Sequence, residues 1–211
     1  MQANRVTLNS TKLVFRFENR RCTLLPCVVF SVPPVPSESS EFAGCSPSIV
    51  YLDASDIQRA RRDSLQGLYK PRFSFPTWAL YTLRLSQLTP TNPRRDPYVT
   101  ALLIAIAQEK RRAMRRRARS PPLNGQSFRV HVLLSDAANK SHIFVYTADI
   151  AESFLNKLDH PRVRPRDAPS VPVQTYTIPY EPYASLQQRL IYAMFPRGQK
   201  RARELDDDGG R

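Results

Sequence analysis

The sequence predicts an α+β domain in which a single mixed sheet is covered by packed helices, and three observations carry that prediction. A capped apolar helix starts at Pro97 and has no side suited to water, so other elements must sheathe it. Phe128, Val130, Val132 and Leu134 alternate with Arg129, His131 and Leu133, and Ile143, Val145 and Thr147 alternate with His142, Phe144 and Tyr146, the pattern of a hairpin. Further segments, 55–67, 150–159 and 182–195, carry apolar residues at helical spacing.

In chain order, residues 1–48 differ in composition from the rest of the chain. No acid precedes Glu18, while Arg5, Lys12 and Arg16 are interspersed with Ser and Thr, a composition compatible with a mitochondrial presequence. The apolar run Cys22 to Val32 follows Arg20 and Arg21 and is broken by Pro26; it reads as a strand or a hydrophobic arm. Val32 to Ser48, with four prolines among serines, reads as a linker, which places a domain boundary there. The expected organisation is an arm and linker over 1–48, an α+β domain over 49–195 and a disordered charged tail over 196–211.

Ile49 to Asp53 is a short strand. Ser55 and Gln58 form a capping-box pattern ahead of Ile57, Ala60, Leu65 and Leu68, with Gly67 as the helix end. Phe73 to Trp78 is an aromatic entry into Trp78 to Leu88, where Tyr81, Leu83 and Leu85 alternate; a strand is expected, although Trp78, Tyr81, Leu85 and Leu88 also fit a helical face.

The central helix is the best specified element. Asp96 caps it, Pro97 occupies the first position, where a missing N–H costs nothing, and only Thr100 is polar between Tyr98 and Ala107. A membrane span needs about 20 apolar residues, so this run is a core helix. Its continuation holds Lys110, Arg111, Arg112, Arg115, Arg116, Arg117 and Arg119 before Ser120-Pro121-Pro122 stops it. The helix dipole favours one or two cations at a C-terminus, not seven. This basic extension is expected to project from the fold or lie on its surface.

Asn124-Gly125 then signals a turn, and the two central strands are apolar on both faces, as in the middle of a sheet. Asp149 and Glu152 match a capping box opening a helix that turns Ile150, Phe154, Leu155 and Leu158 inward and ends at His160-Pro161. A basic, proline-rich loop (Arg162, Arg164, Arg166) leads to a strand from Val173 to Ile178. A last helix over Pro182 to Phe195 presents Leu186, Leu190, Ala193 and Met194 to the core.

Between about Ile49 and Phe195 the blocks Ser74-Phe75-Pro76-Thr77-Trp78, Leu83-Arg84-Leu85-Ser86-Gln87-Leu88, Asp96-Pro97-Tyr98 and Leu102-Leu103-Ile104-Ala105-Ile106-Ala107-Gln108 resemble a group of uncharacterised hypothetical proteins of filamentous fungi. The resemblance implies kinship and brings no activity, cofactor or partner with it.

Lys+Arg of 32 against Asp+Glu of 18 gives a net charge of +14, which favours anionic partners such as nucleic acid or a membrane surface. Cys22, Cys27 and Cys45 are odd in number and loosely spaced, which fits a reduced intracellular setting and neither a disulfide framework nor a zinc knuckle. The six glycines form no phosphate-cradling loop. A nuclease would need clustered carboxylates and a lysine; the strand order loosely permits it, with Asp136 after the first central strand, but Asp149 and Glu152 read as a helix cap. His131 and His142 would face each other across the hairpin with no third ligand, so they read as sheet residues. No catalytic residue, metal or cofactor is therefore expected.

The remaining candidate is a non-enzymatic polyanion-binding surface made of Lys110, Arg111, Arg112, Arg115, Arg116, Arg117 and Arg119, with Arg59, Arg61, Arg62, Arg94 and Arg95 extending it if the fold gathers them. Its partner would be nucleic acid or an acidic protein. Lys200, Arg201 and Arg203 match the composition of a nuclear localisation signal, so the expected setting is nuclear or cytoplasmic. The competing reading is a protein-interaction or structural module whose basic face is merely solvated; it predicts an apolar surface patch near Phe73, Phe75 and Trp78.

Overall fold

The computed structural model describes residues 7–31, 49–69, 74–117, 126–163 and 170–195. Six strands form one sheet in sequence order. They are β1 (Thr7–Phe17), β2 (Arg20–Ser31), β3 (Ile49–Asp53), β4 (Ser127–Ser135), β5 (His142–Ala151) and β6 (Val173–Pro179). Every neighbouring pair is antiparallel except β3 and β4, which run parallel. The long β3 to β4 connection carries α1 (Ala54–Ser64), α2 (Gln66–Tyr69), α3 (Phe75–Leu88) and α4 (Pro97–Arg117), while α5 (Glu152–Asp159) follows β5 and α6 (Tyr183–Met194) follows β6. The fold is α+β with a single mixed sheet.

Residues 7–31 are not an arm. β1 and β2 make a hairpin, and β2 pairs with β3 through Val28–Tyr51, Val29–Val50 and Phe30–Ile49, so the expected boundary at residue 48 divides one sheet. Leu13, Leu25, Cys27 and Val29 are buried in the same core as Val50, Leu102 and Val132. These residues sit on one face of the hairpin, and the arginines Arg16, Arg20 and Arg21 are concentrated toward its tip. Pro26 fits because the ladder is irregular there: the register shifts between Ser10 and Lys12, and Lys12 faces Pro26. The turn is Glu18-Asn19 with φ of 51° and 59°, the left-handed pair of a type I′ turn. A glutamate holds that conformation at some cost, offset by a hydrogen bond from Glu18 N to Leu158 O at 2.9 Å that ties the hairpin tip to α5.

α3 is a helix where the alternation predicts a strand. Ser74 Oγ accepts from Thr77 N at 3.4 Å and Thr77 Oγ1 from Ser74 N at 3.2 Å, a reciprocal cap with Pro76 in the first turn. The alternation of Tyr81, Leu83 and Leu85 is secondary to the i, i+4 pair Tyr81 and Leu85, both half-buried. Two other caps also differ. α1 is capped by Asp53, whose Oδ1 accepts from Ser55 N at 2.9 Å, and it ends at Ser64, so Gly67 falls inside α2 instead of closing α1. α5 starts at Glu152 with no side-chain cap; Asp149 lies in β5 opposite Arg129, and the first α5 amide donates to Gln126 O at 2.8 Å.

α4 is as its sequence requires. Asp96 Oδ1 accepts from Tyr98 N at 2.9 Å, and Val99 together with every residue from Leu102 to Gln108 is buried. At 1.5 Å per residue its 21 residues span about 30 Å, across β1, β4 and β5 on one face of the sheet. α1 and α5 share that face. α6 lies on the other, where Leu186, Leu190, Ala193 and Met194 meet Ile49, Val145 and Ile178. β4 and β5 are consequently covered on both sides, and His131 on the α6 face is buried against Thr147 and the ring edge of Phe195. No helix among the described residues is long and apolar enough to cross a membrane. The expectations for Cys45, Phe73, Arg119, Ser120-Pro121-Pro122, Asn124-Gly125, Arg164, Arg166, the proline-rich linker and the tail with Lys200, Arg201 and Arg203 lie outside the described residues.

Candidate polyanion-binding face

The basic half of α4 divides into stripes. Residues four apart lie above one another on a helix, so Arg111 and Arg115 share one face and Gln108, Arg112 and Arg116 share another. The first stripe packs on α5. Arg111 donates through Nη2 to Asp159 Oδ2 at 2.6 Å and through Nη1 to Asn156 Oδ1 at 3.1 Å, with the two charged side chains only 5% and 8% exposed. Arg115 Nη2 donates to Glu152 Oε1 at 3.0 Å. Burial holds the Arg111 guanidinium below its ordinary pKa, and Asp159 opposes that effect. Lys110 is engaged at the surface of the sheet, donating from Nζ to Arg129 O at 2.5 Å.

This corrects the expectation that the whole extension faces solvent. Arg111 is as buried as the apolar helix before it, because α5 supplies a carboxylate and an amide at the depth where its guanidinium arrives. Three of the seven predicted cations are thus engaged within the fold. Among the described residues Arg112 has one ion pair, a long i, i+3 contact with Glu109 at 3.7 Å, and Arg116 is exposed with none. The side chain of Arg117 lies outside the described residues.

The second stripe points at the β1–β2 hairpin. Gln108, almost fully buried, accepts from Arg16 N through Oε1 at 3.0 Å and donates from Nε2 to Arg16 O at 2.9 Å. β1 is an edge strand, and the glutamine amide satisfies both backbone groups of Arg16 as a neighbouring strand would. This clamp fixes Arg16 one and two turns of helix away from Arg112 and Arg116. The resulting crowd of like charges is visible in the Arg16 guanidinium, whose pKa is lowered by burial and then by Arg112, Arg21 and Arg116, against an opposing pull from Glu109. Arg16 Nε is buried without a hydrogen-bond partner among the described residues. Arg20 and Arg21 are exposed at the start of β2.

The face so assembled contains Arg16, Arg21, Arg112 and Arg116, with Glu109 beside them, while Arg20, next to Arg21 in the strand, points to the other side of the hairpin. Sequence reasoning missed the hairpin half because nothing in a single chain reveals that residue 16 lies beside residue 108. Alternation at Leu13, Phe15 and Phe17 was the available signal for the strand. Of the other basic residues singled out, Arg59 pairs with Asp56 at 3.4 Å, Arg61 pairs with Asp96 at 2.5 Å, Arg94 sits over the Phe144 ring at 5.1 Å, and Arg62 and Arg95 are exposed.

The groups weighed for catalysis are dispersed. His131 pairs across the ladder with Thr147, not with His142, which pairs with Pro179. Burial, then Lys110 and Arg129, pushes the His131 imidazole down to about 3, so it is neutral. Asp149 is exposed on β5, Glu152 faces Arg115, and Asp136 Oδ1 caps its own turn by accepting from Ala138 N. Cys22 is exposed and Cys27 buried, its thiol pushed up to about 12 by burial. Among the described residues no three His, Cys, Asp or Glu side chains gather as a metal site. No family model matches the chain, and neither does any curated protein or solved structure, so its function is read from this geometry alone.

Proposed function

We propose that the chain binds nucleic acid through the backbone phosphates, using the face of Arg16, Arg21, Arg112 and Arg116. The observation that carries the reading is the Gln108 clamp, which holds a hairpin arginine against the α4 arginines despite their mutual repulsion. Such crowding costs stability, and a polyanion would relieve it. Guanidiniums bind phosphate oxygens in forked pairs, and phosphates spaced along a strand suit cations spread over a hairpin and a helix. Recognition of this kind is salt-sensitive and weakly selective for sequence. The nuclear setting belongs to the same proposal, with Lys200, Arg201 and Arg203 as its import signal.

Titration against labelled duplex DNA and single-stranded RNA at two salt concentrations tests the reading. Binding at low salt that weakens steeply as salt rises is expected, and Arg21→Gln with Arg116→Gln should weaken it further while leaving the fold intact. Absence of binding at low salt would sink the proposal.

A second reading, a protein-docking module, is favoured by α3. None of its residues is buried; Phe75 is 80% exposed and Leu83 55%, with Trp78, Leu80 and Leu88 also open. An apolar helix left open in this way is a common mark of an interaction surface. A stoichiometric protein partner that survives nuclease treatment and is lost in Leu80→Asp with Leu83→Asp would establish it.

A further inference from the structure

The arginine face lies at the C-terminal half of α4; a different cavity opens at the N-terminal end of the same helix. α4 covers β4 and part of β5 but leaves β6 bare, so the floor of the gap is Tyr146 of β5 with Val173, Thr175 and Thr177 of β6. These β6 residues stand opposite Ala148, Tyr146 and Phe144 in the ladder, which puts them on the α4 side of the sheet. The wall is the 3-10 turn Pro93–Arg95 and the first turn of α4. The cavity measures about 540 Å³, within the usual range of small-molecule sites.

Its polar chemistry is one-sided. The acceptors on the wall each already accept a bond: Asp96 Oδ1 from Tyr98 N, Asp96 Oδ2 from the half-buried Arg61, Asn92 Oδ1 from Arg94 N, and the Arg94 carbonyl from the Tyr146 hydroxyl at 3.1 Å. The lining side chains that carry donors beyond these are Asn92, Arg94 and Arg95, together with Thr100, Thr175 and Thr177, whose hydroxyls can donate or accept. Asp96 and Arg61 cancel each other, so the two lining arginines set the local charge. Arg94 is held in place by Phe144 beneath it and by the Tyr146 bond to its carbonyl, which reduces the entropy lost when it binds. The cap on Asp96 uses the leading amide of α4, so the site consists of side chains and does not depend on the helix terminus.

From this donor-rich lining we infer a binding site for a phosphoryl group, carried by a small organic molecule whose remainder rests on Val99, Val173 and the Tyr146 ring. Paired arginine forks with hydroxyl donors match the three oxygens of a phosphomonoester, and a carboxylate would leave part of the set unused. The inference is independent of the nucleic-acid reading, because it uses none of the same side chains.

Nuclear magnetic resonance titration of the full chain with AMP, adenosine and inorganic phosphate is the test. AMP should shift the amides of Arg94, Arg95, Thr100, Thr175 and Thr177 in a saturable way, with inorganic phosphate weaker at the same residues and adenosine without effect. Binding by phosphate as tightly as AMP would assign the free anion as ligand and still uphold the phosphoryl site. Loss of one charge-assisted fork in Arg95→Gln should weaken AMP by about tenfold or more. Because Arg94→Gln disturbs the turn, Thr177→Val serves as the second variant and should also weaken AMP. The inference fails if no saturable shift occurs, if adenosine shifts the same amides as AMP, if the shifts fall instead at Arg112 and Arg116, or if Arg95→Gln and Thr177→Val leave the affinity unchanged.

Discussion

Arg111 and Arg112 are adjacent in sequence, carry the same charge and sit in the same helix, yet they do opposite things. Arg111 enters a cleft where Asp159 and Asn156 meet it, whereas Arg112 turns along the hairpin edge among other arginines. One step of about 100° around a helix separates a residue that holds the molecule together from one that is held by it. A basic run is therefore no unit of function; what faces each side chain decides its role.

The largest effect that could break this contrast is on stability. Arg111→Ala leaves Asp159 buried without its partner, and loss of about 3 to 5 kcal/mol is expected in urea unfolding, against less than about 0.5 kcal/mol for Arg112→Gln. Equal losses in the two variants would erase the distinction. Next comes the clamp. Gln108→Ala strips the Arg16 N–H and carbonyl of their partners and should cost about 2 to 4 kcal/mol, at roughly 1 to 2 per orphaned group. It should also speed amide exchange at the tip of the hairpin, and unchanged exchange there would mean that the hairpin needs no clamp.

The third prediction concerns pH. His131 binds a proton in the unfolded chain below about pH 6.5 but stays neutral in the fold down to about 3. Because the unfolded state binds more protons across that window, stability falls on acidification by about 1.4 kcal/mol per pH unit. Between pH 6.5 and 5, above the range where ordinary carboxylates titrate, the wild type should lose about 2 kcal/mol. His131→Asn should remove that slope in thermal melts, and a slope that persists in the variant would assign it to another group. Lys110 is one of the cations that depress this histidine, so Lys110→Met should leave the slope between pH 6.5 and 5 unchanged and shorten only its acid end.

Much of the fold could be read in advance where local chemistry was decisive. Asp96-Pro97 marked the start of α4, the alternation from Phe128 to Thr147 marked β4 and β5, and Leu186, Leu190 and Ala193 marked the inner face of α6. Local signals failed where two periods fitted the same residues, as in α3, whose Ser74 and Thr77 cap replaced the glutamate of the usual pattern. They failed again where the turn lacked glycine, as at Glu18-Asn19, and where Asp53 rather than Ser55 took the capping role. The site was legible only by half. Its α4 arginines stood out by density, but which of them were held against α5 depended on Asp159 and Glu152, about 40 residues away in sequence, and Arg16 was brought beside the others by Gln108.

The most direct test of the contrast is the slope of log affinity against log salt for duplex DNA, compared between wild type, Arg115→Gln and the double variant Arg112→Gln with Arg116→Gln. Each phosphate contact removed lowers the slope by about 0.9. The double variant should therefore lose close to two units of slope while Arg115→Gln, whose charge already faces Glu152, changes it little. Equal losses from both variants, or none from the double, would contradict the division of α4 into an inward stripe and a binding stripe.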